Sequence, residues 1–364
     1  MPATIERVRS DLYEIPLATT LTDSMHGEMR AFEIVTARVT DSDGAEGVGY
    51  TFTCGRNGGA VHDVLGREIA EIVRGEEAER IEALWRKVWW GTHYGGRGGP
   101  TVLAISAFDI ALWDLAAKKA GRPLWRHLGG HDPMVKCYAG GIDLMLSADE
   151  LIAQTEGNLA RGFRAIKMKV GRERLSDDVA KVAAMRDFLG DGFPLMLDAN
   201  MKWTGDQAVR AARAFAPYDP TWLEEPCEPE DMAGHARVVR EGGLPVATGE
   251  NFRTLAEFRA FVAAGAVTFP EPDVTNCGGV TVFMKVAKLA EAFGLPVTSH
   301  GAHDFTVHLL AAAPNASYLE AHGFGLDRFI AHPLEISEGF ARAPERPGHG
   351  VAFDWSGLES LRRS

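Results

Sequence analysis

The chain has 364 residues, with 38 Lys and Arg against 50 Asp and Glu, which gives a formal net charge of −12. Hydrophobic residues make up 46% and charged residues 24%, a composition typical of a globular protein and not of a disordered or collagen-like chain. The acidic balance, without a Lys- or Arg-rich patch, argues against nucleic acid or an anionic membrane as a partner. No stretch approaches the about 18 consecutive apolar residues of a membrane span.

Four widely separated cysteines, Cys54, Cys137, Cys227 and Cys277, show no C-x-x-C spacing. Such cysteines are typical of reduced thiols in the cytosol, and residues 2–7 lack the apolar run of a signal peptide. We therefore expect a cytoplasmic protein. Its length fits two or three domains of about 100–200 residues, or one barrel with an additional unit.

Residues 1–130 have the pattern of a small α+β domain. Alternating apolar and polar residues predict strands over residues 6–13, 32–39 and 48–52, and a polar loop covers residues 19–29. An apolar period of 3.6 then predicts helices over residues 61–73, 77–90 and 104–120. Breakers at Gly121, Pro123, Gly129 and Gly130 mark the end of this domain.

Residues 131–330 alternate short apolar strands with helices of about 10–15 residues. The predicted strands cover residues 136–139, 165–170, 194–199, 221–225, 245–249, 267–270, 296–300 and 317–320. This alternation favours a parallel (β/α) barrel of the TIM type, with an open doubly wound sheet as the alternative. The Pro- and Gly-rich segment 331–364 is expected to return to the first domain.

Five charged or titratable residues lie at the C-terminal ends of successive predicted strands. They are separated by 26, 26, 23 and 27 residues and are Asp198, Glu224, Glu250, Asp273 and His300. Lys167 and Lys169 lie one strand–helix unit earlier and both point into the barrel. In a (β/α) barrel these strand ends converge on one mouth, where such enzymes place their active sites.

Three carboxylates held together on consecutive strands would repel one another unless a cation lay among them. Ligation by oxygen alone favours a hard cation such as Mg²⁺ over zinc. We therefore predict that Asp198, Glu224 and Glu250 bind Mg²⁺. The alternative is that each acid caps a helix or pairs with a surface lysine.

A metal beside a lysine and a His–Asp pair suits the abstraction of a weakly acidic proton next to a carboxylate. The metal would stabilise the resulting enediolate by several kcal/mol. A buried lysine near another cation has a lowered pKa, so Lys169, beside Lys167 and the metal, is predicted to act as a base. Asp273 is predicted to orient His300 and stabilise its cationic form. A pair such as Lys169 and His300, on opposite sides of one carbon, serves either racemisation or elimination.

In these residues the sequence resembles the enolase superfamily, specifically its mandelate racemase-like subgroup. The matching segments are Lys167-Met168-Lys169, Leu197-Asp198-Ala199-Asn200, Trp222-Leu223-Glu224-Glu225-Pro226, Gly249-Glu250-Asn251, Pro272-Asp273, Ser299-His300 and Tyr318-Leu319-Glu320. The predicted helix over residues 106–115 also resembles the first domain of that family.

The resemblance implies a modified (β/α)7β barrel over residues 131–330, with an N-terminal α+β capping domain over 1–130 and a C-terminal segment, 331–364, that returns to it. It implies Mg²⁺ on the three carboxylates, with Lys169 as one base, Lys167 beside it, and the Asp273–His300 pair as the second base or acid, so that either Lys169 or His300 takes the proton. It also implies that Glu320 hydrogen-bonds the developing enediolate, and it suggests a symmetric homo-oligomer.

In such families the first domain closes the mouth of the barrel. His26 and Arg56 in its loops are therefore candidates for contacting the distal part of the substrate, together with Asn200 and Asn276 at strand ends. Asn276 stands where mandelate racemase has a lysine, and the loop over residues 19–29 is polar. Both features favour a polyhydroxylated acid over an aryl substrate.

The sequence thus predicts a Mg²⁺-dependent lyase, an acid-sugar dehydratase. It would remove the proton α to the carboxylate of a sugar acid and expel the β-oxygen, protonated by His300, to give a 2-keto-3-deoxy acid. Residues 140–144, 275–279 and 353–355 also resemble cycloisomerases that act on anhydro-galactonate, in which a ring ether oxygen leaves. A racemase or epimerase is a further alternative. Two alternatives come from other functional classes: a metal-dependent hydrolase and a non-catalytic binding protein.

Overall fold

Three long strands form an antiparallel meander at the start of the computed structural model, which describes residues 2–363. They are β1 (Ile5–Asp23), β2 (Gly27–Asp41) and β3 (Glu46–Thr53). The predicted polar loop over residues 19–29 is wrong, because β1 and β2 continue through it as a hairpin in which Leu21 pairs with Met29 and Asp23 with Gly27. Alternation of apolar and polar residues indicates a strand only where one face of that strand is buried. The extension of β1 and β2 is polar, so the alternation did not predict it as a strand.

Helices cover one face of the meander. They are α1 (Gly58–Asp63), which continues through a π-helical turn (Val64–Ile69) into α2 (Ala70–Val73), then α3 (Ile81–Thr92) and α4 (Gly99–Lys119). Helix α4 is long and apolar enough to cross a membrane, but 78% of its most apolar window is buried inside the protein. A Cβ at Gly49 would come within 2.3 Å of the carbonyl oxygen of Ala107, so glycine permits the close packing of β3 on α4.

A nearly closed ring of eight parallel strands follows the short helix α5 (Leu124–His127). The strands are β4 (Met134–Gly140), β5 (Ile166–Lys169), β6 (Leu195–Asp198), β7 (Leu223–Glu224), β8 (Val246–Thr248), β9 (Phe269–Pro270), β10 (Val297–Ser299) and β11 (Ala316–Ala321). Seven helices connect them: α6 (Ala148–Ala160), α7 (Leu175–Leu189), α8 (Gly205–Phe215), α9 (Met232–Arg237), α10 (Leu255–Ala263), α11 (Gly279–Ala292) and α12 (His303–Ala311). Strand β11 pairs with β4, so the predicted (β/α)7β barrel is confirmed and the open sheet is excluded.

The segment after β11 divides between the two domains. Strands β12 (Glu335–Ser337) and β13 (Phe340–Arg342) form a hairpin that pairs with the N-terminal half of β4. This part joins the barrel rather than the first domain, because β4 pairs with β5 only through Ala139 and Gly140 and leaves its first residues free to bond. Residues beyond it do return, through helix α13 (Trp355–Glu359) and strand β14 (Arg362–Arg363), which pairs with β1.

A buried carboxylate on α4 links the capping domain to the barrel. Asp109 accepts hydrogen bonds from the hydroxyl (2.6 Å) and the backbone N–H (2.9 Å) of Thr281, in the first turn of α11. Burial raises the pKa of Asp109 to about 7, although the hydrogen bonds from Thr281 act in the opposite direction. Docking of the two domains therefore includes a group that titrates near neutrality.

We expect Asp109→Asn to change how stability depends on pH. A carboxyl group whose pKa is higher in the folded than in the unfolded state stabilises the fold below its unfolded pKa, about 3.9. That contribution is lost as pH rises through the folded pKa near 7, and for this change in pKa it amounts to at most about 4 kcal/mol. The wild type should lose Tm relative to Asp109→Asn between pH 5 and pH 8 in scanning calorimetry. A Tm difference that stays constant across this range would contradict the assignment.

Candidate active site

The register of the barrel strands places a row of charged side chains across its mouth. Lys169 on β5 lies opposite Asp198 on β6, and Asp198 lies opposite Glu224 on β7. Lys167, two residues before Lys169, faces the same side of the sheet. All four side chains are buried. Strand pairing thus assembles residues that lie far apart in the chain into one charged centre.

Three carboxylates in this centre are arranged as oxygen ligands of a cation. One ligand atom each from Asp198, Glu224 and Glu250 lies within 4.8 Å of the others. Glu250 Oε2 and Asn200 Oδ1 are buried and make no hydrogen bond within residues 2–363. Trp222 Nε1 donates to Glu224 Oε2 at 2.9 Å and so orients this carboxylate. The all-oxygen donor set and the unbonded Glu250 oxygen fit a hard divalent cation such as Mg²⁺.

The two lysines are held by these carboxylates and by Glu320. Lys167 Nζ lies 2.5 Å from Glu224 Oε1 and 2.8 Å from Glu320 Oε1, and Lys169 Nζ contacts Asp198 Oδ2. Burial lowers the pKa of both lysines, but the carboxylates outweigh it and raise the pKa of each above its usual value. The direct contact with Asp198 thus outweighs the charge of Lys167. The lowered pKa predicted for Lys169 requires the cation as well as Lys167, and it stays a prediction.

The pKa of Glu224 is raised and the pKa of Asp198 is lowered, although both carboxylates are buried. Burial raises the pKa of Glu224, and the neighbouring Asp198 raises it further. Burial also opposes ionisation of Asp198, but Lys169 and Lys167 hold its pKa below the usual range. Two buried acids on adjacent strands thus compete for the same positive charge, which is the condition that a bound cation relieves.

A His–Asp pair follows strands β9 and β10 of the ring. His300 Nδ1 is 2.7 Å from Asp273 Oδ2, and the other Asp273 oxygen accepts from the N–H and hydroxyl of Thr275. His300 Nε2 is 3.5 Å from Glu250 Oε2 and 3.8 Å from Glu320 Oε2. Burial lowers the pKa of His300, but the surrounding carboxylates raise it well above its usual value. Asp273 therefore fixes the ring so that Nε2 faces the charged centre.

Glu320, on β11, is fully engaged by hydrogen-bond donors. Its Oε1 lies beside Lys167 Nζ, and its Oε2 accepts from the N–H of Gly301 at 2.8 Å. Burial raises the pKa of Glu320, but Lys167 and His300 outweigh it and lower this pKa. An ionised carboxylate accepts hydrogen bonds and does not donate them. Its predicted hydrogen bond to an enediolate stays a prediction that requires a proton on Glu320.

One cavity of about 300 Å³ opens above this centre and is lined by Lys169, Glu250, His300 and Glu320. Every predicted substrate-binding residue also lines it: His26, Arg56, Asn200 and Asn276. Three other predicted site residues are buried within ion-pair or hydrogen-bond distance of a lining residue: Lys167, Asp198 and Asp273. Glu224 is buried against Lys167, with a ligand atom within 4.8 Å of one on Glu250. The structure therefore brings the whole predicted set together, and the role of each residue stays a prediction.

Part of the cavity surface is an aromatic wall, formed by Phe32, Phe52 and Phe324. The rings of Phe52 and Phe324 stack with centroids 3.7 Å apart, and Phe32 meets Phe324 edge-on at 5.4 Å. These residues come from β2, β3 and the segment after β11. The polar character expected of the mouth from residues 19–29 therefore describes only one side of it.

Several residues of the site were not predicted. Asp143 accepts a hydrogen bond from the backbone N–H of Lys169 (3.0 Å), and Glu225 accepts one from Asn251 Nδ2 (2.9 Å). His322 lines the cavity, and burial lowers its pKa to about 4, which keeps it neutral at pH 7. His322 lies two residues after Glu320, so strand alternation was a usable signal for it. Asp143 lies in a loop and has no comparable signal.

Known families match both domains of the chain. Residues 9–129 match the mandelate racemase/muconate lactonizing enzyme N-terminal domain, and residues 150–357 match the enolase C-terminal domain-like family. The chain therefore belongs to the enolase superfamily, in its mandelate racemase/muconate lactonizing enzyme group, as its motifs predicted. It is an enzyme of this superfamily.

Three relatives are similar over nearly their whole length. A 3,6-anhydro-alpha-L-galactonate cycloisomerase of Streptomyces coelicolor is 56% identical, over 98% of this chain and 99% of its own. The crystal structure of a racemase from Streptomyces coelicolor with bound magnesium has a TM-score of 0.96 at 54% identity, covering 99% and 100% of the two chains. An L-talarate dehydratase from Polaromonas sp. JS666, solved with Mg and L-glucarate, has a TM-score of 0.94 at 35% identity, covering 100% and 98%.

Proposed function

We propose that this enzyme is a Mg²⁺-dependent cycloisomerase that opens the ring of an anhydro sugar acid such as 3,6-anhydro-galactonate. The observation that carries the proposal is the aromatic wall of Phe32, Phe52 and Phe324 in the cavity that also holds Lys169 and His300. A ring closed by an ether bridge has fewer hydroxyls than an open-chain acid and presents a C–H face that packs on aromatic rings.

The relatives support ring opening over the dehydration that the sequence favoured. The cycloisomerase is 56% identical to this chain, and the L-talarate dehydratase structure 35%. Both reactions begin with loss of the proton α to the carboxylate and continue with loss of the β-oxygen. They differ in whether that oxygen is a free hydroxyl or part of a ring, which is a question of substrate shape rather than of the charged centre.

Asp198, Glu224 and Glu250 would hold Mg²⁺ in this enzyme. When bound, the ion supplies Lewis-acid stabilisation of the negative charge that develops on the substrate carboxylate, worth several kcal/mol. Asp198 would then share its negative charge with the cation, so that the pKa of Lys169 falls and its neutral, basic form becomes accessible. This gives the lysine the character that its contact with Asp198 otherwise opposes.

The reaction requires four proton transfers. Lys169 or His300 removes the proton from C2, and the electron pair moves into the C2–C3 bond as the C3–O bond breaks. The ring oxygen keeps the electron pair of that bond and takes a proton, which makes it the C6 hydroxyl. The enol then takes a proton at C3 and releases its hydroxyl proton, which gives a 2-keto-3-deoxy acid. No water is added or lost, so the product is an isomer of the substrate.

Purified enzyme with Mg²⁺ should convert 3,6-anhydro-L-galactonate into a keto acid of unchanged mass. In deuterated water the product should carry solvent deuterium at C3, which NMR detects. Galactarate and a simple 2-hydroxy acid serve as parallel substrates for dehydration and racemisation. Loss of one water from galactarate, with no conversion of the anhydro acid, would replace the proposal by the dehydratase. Solvent deuterium at Cα of an inverted 2-hydroxy acid, with no keto acid, would replace it by a racemase.

A further inference from the structure

A second Asp–His pair lies at the mouth of the barrel, on the hairpin of the capping domain. His26 Nδ1 is 2.8 Å from Asp23 Oδ2. The other oxygen of Asp23 accepts from the backbone N–H groups of Met25 (2.9 Å) and His26 (2.6 Å). Asp23 is only 8% exposed. One buried carboxylate therefore fixes both the turn and the orientation of the imidazole, as Asp273 does for His300.

The hairpin tip that carries this pair is bonded to the barrel at two places. The hydroxyl of Ser24 donates to the carbonyl oxygens of Ala199 (2.7 Å) and Asn200 (3.1 Å), immediately after Asp198. On the other side, the N–H of Leu144 donates to the carbonyl oxygen of Thr22 at 3.2 Å. These bonds hold the tip against the carboxyl ends of the barrel strands, so His26 has a defined position over the site.

The imidazole of His26 faces the reaction cavity. Asp23 and His26 line the same cavity as Lys169, Glu250 and His300. Within residues 2–363 the ring is hydrogen-bonded at Nδ1 only, and 39% of the side chain is exposed. Nε2 is therefore the nitrogen that remains for a ligand. The hydrogen bond that the ring makes to Asp23 raises the pKa of His26 against the opposing effect of burial, which favours the protonated, donating form.

Ring opening needs a proton donor for the ether oxygen, in addition to the groups that act at C2 and C3. In the proposed reaction, Lys169 and His300 would serve the carbon-bound protons, one leaving C2 and one arriving at C3. The ether oxygen carries no proton of its own, so its departure as an alkoxide is unfavourable unless an acid donates to it. That donor must reach the ring from outside the charged centre, and the capping-domain pair is the second imidazole of the cavity that a buried carboxylate fixes.

We propose that His26 is the general acid that protonates the departing ring oxygen and that Asp23 is its positioning residue. The inference rests on the proposed ring-opening function. In this step the C3–O bond breaks, its electron pair stays on oxygen, and the proton of His26 Nε2 forms the new hydroxyl. His26 becomes neutral and regains its proton from solvent. His300, to which the sequence assigned this role, then acts on the carbon-bound protons.

The test separates proton abstraction from ring opening. His26→Asn should lower kcat for opening of 3,6-anhydro-L-galactonate by about 10²-fold or more, while exchange of the C2 proton with solvent deuterium continues in recovered substrate. Asp23→Asn should shift the ratio of exchange to opening in the same direction by a smaller factor. His62→Asn is the matched control, because His62 lies on α1 outside the cavity with Nδ1 2.8 Å from Ser10 Oγ, and it should behave as wild type.

Other outcomes overturn the inference in distinguishable ways. If His26→Asn opens the ring at the wild-type rate, or if opening and C2 exchange fall together, His26 is not the acid. If His300→Asn alone blocks opening while C2 exchange continues, His300 protonates the oxygen instead. If the wild type does not open the anhydro ring, the proposed function fails and this inference fails with it.

Discussion

Replacement of Lys169 by methionine should abolish turnover while leaving the protein folded. Lys169→Met keeps most of the side-chain volume and removes the amine that contacts Asp198. If Lys169 takes the proton from C2, kcat should fall by about 10²–10⁴-fold, the usual contribution of a general base. Exchange of the C2 proton with solvent should disappear as well, and NMR in deuterated water measures both quantities on one sample.

The matched control is Lys181→Met, which removes another buried lysine. Lys181 is 4% exposed, donates to the carbonyl oxygen of Leu144 at 3.1 Å and lies outside the cavity. It should change stability more than activity. If Lys169→Met retained C2 exchange while His300→Asn lost it, the base would be His300. If neither variant affected exchange, the assignment of the charged centre to proton abstraction would be wrong.

Replacement of Glu224 by glutamine should remove both Mg²⁺ binding and activity at ordinary metal concentrations. Glu224→Gln removes one of three carboxylate ligands and leaves an amide beside Lys167, whose Nζ lies 2.5 Å from Glu224 Oε1. Loss of a residue that only orients a ligand typically costs 10–100-fold in metal affinity. Loss of the ligand itself should cost at least about 100-fold, measured by calorimetric titration of Mg²⁺ into chelator-treated protein.

Two further variants test the specificity of this effect. Trp222→Phe removes only the indole N–H that donates to Glu224, so Mg²⁺ affinity should fall by about 10–100-fold while activity returns at high Mg²⁺. Glu271→Gln alters a buried acid outside the ligand set, which accepts from the hydroxyl of Tyr138 at 3.3 Å. Burial raises the pKa of Glu271 well above its usual value, so glutamine resembles its neutral form and Mg²⁺ affinity should be unchanged. Wild-type affinity in Glu224→Gln would contradict the assigned metal site.

The spacing of acids along the chain was enough to predict the charged centre, because parallel strands in a barrel end at one mouth. Asp198, Glu224 and Glu250 follow one another at one strand–helix unit, and the pairing of Asp198 with Glu224 confirms that register. Short apolar runs between helical segments indicated the barrel strands for a related reason, since these strands are buried and apolar. The polar extension of β1 and β2 has no such signature, and its prediction as a loop was wrong.

The pKa of Lys169 depends on distances between atoms, which the spacing of residues along the sequence does not give. A neighbouring cation lowers the pKa of a lysine and a neighbouring carboxylate raises it. The sequence places both Lys167 and Asp198 near Lys169 but does not say which is closer. The structure shows direct contact with Asp198, and the pKa of Lys169 is raised.

The aromatic wall of the cavity also came from tertiary structure. Phe32, Phe52 and Phe324 belong to two strands of the capping domain and to a segment after the last barrel strand. Nothing in their local sequence distinguishes them from core residues, and only domain packing stacks Phe52 on Phe324 beside the acid–base residues. The pairing of Asp23 with His26 is local in sequence, but its position over the mouth depends on the bonds from Ser24 to residues 199 and 200.

The family and the barrel follow from the sequence alone, as does the predicted ligand set of the charged centre, because periodicity and strand-end spacing both reflect a repeating (β/α) unit. Under the proposed function, the choice between expelling a free hydroxyl and opening a ring is made by the surface opposite the predicted metal ligands. That surface is assembled from segments that meet only when the capping domain packs on the barrel. Contacts of this kind produce no periodic pattern in the sequence.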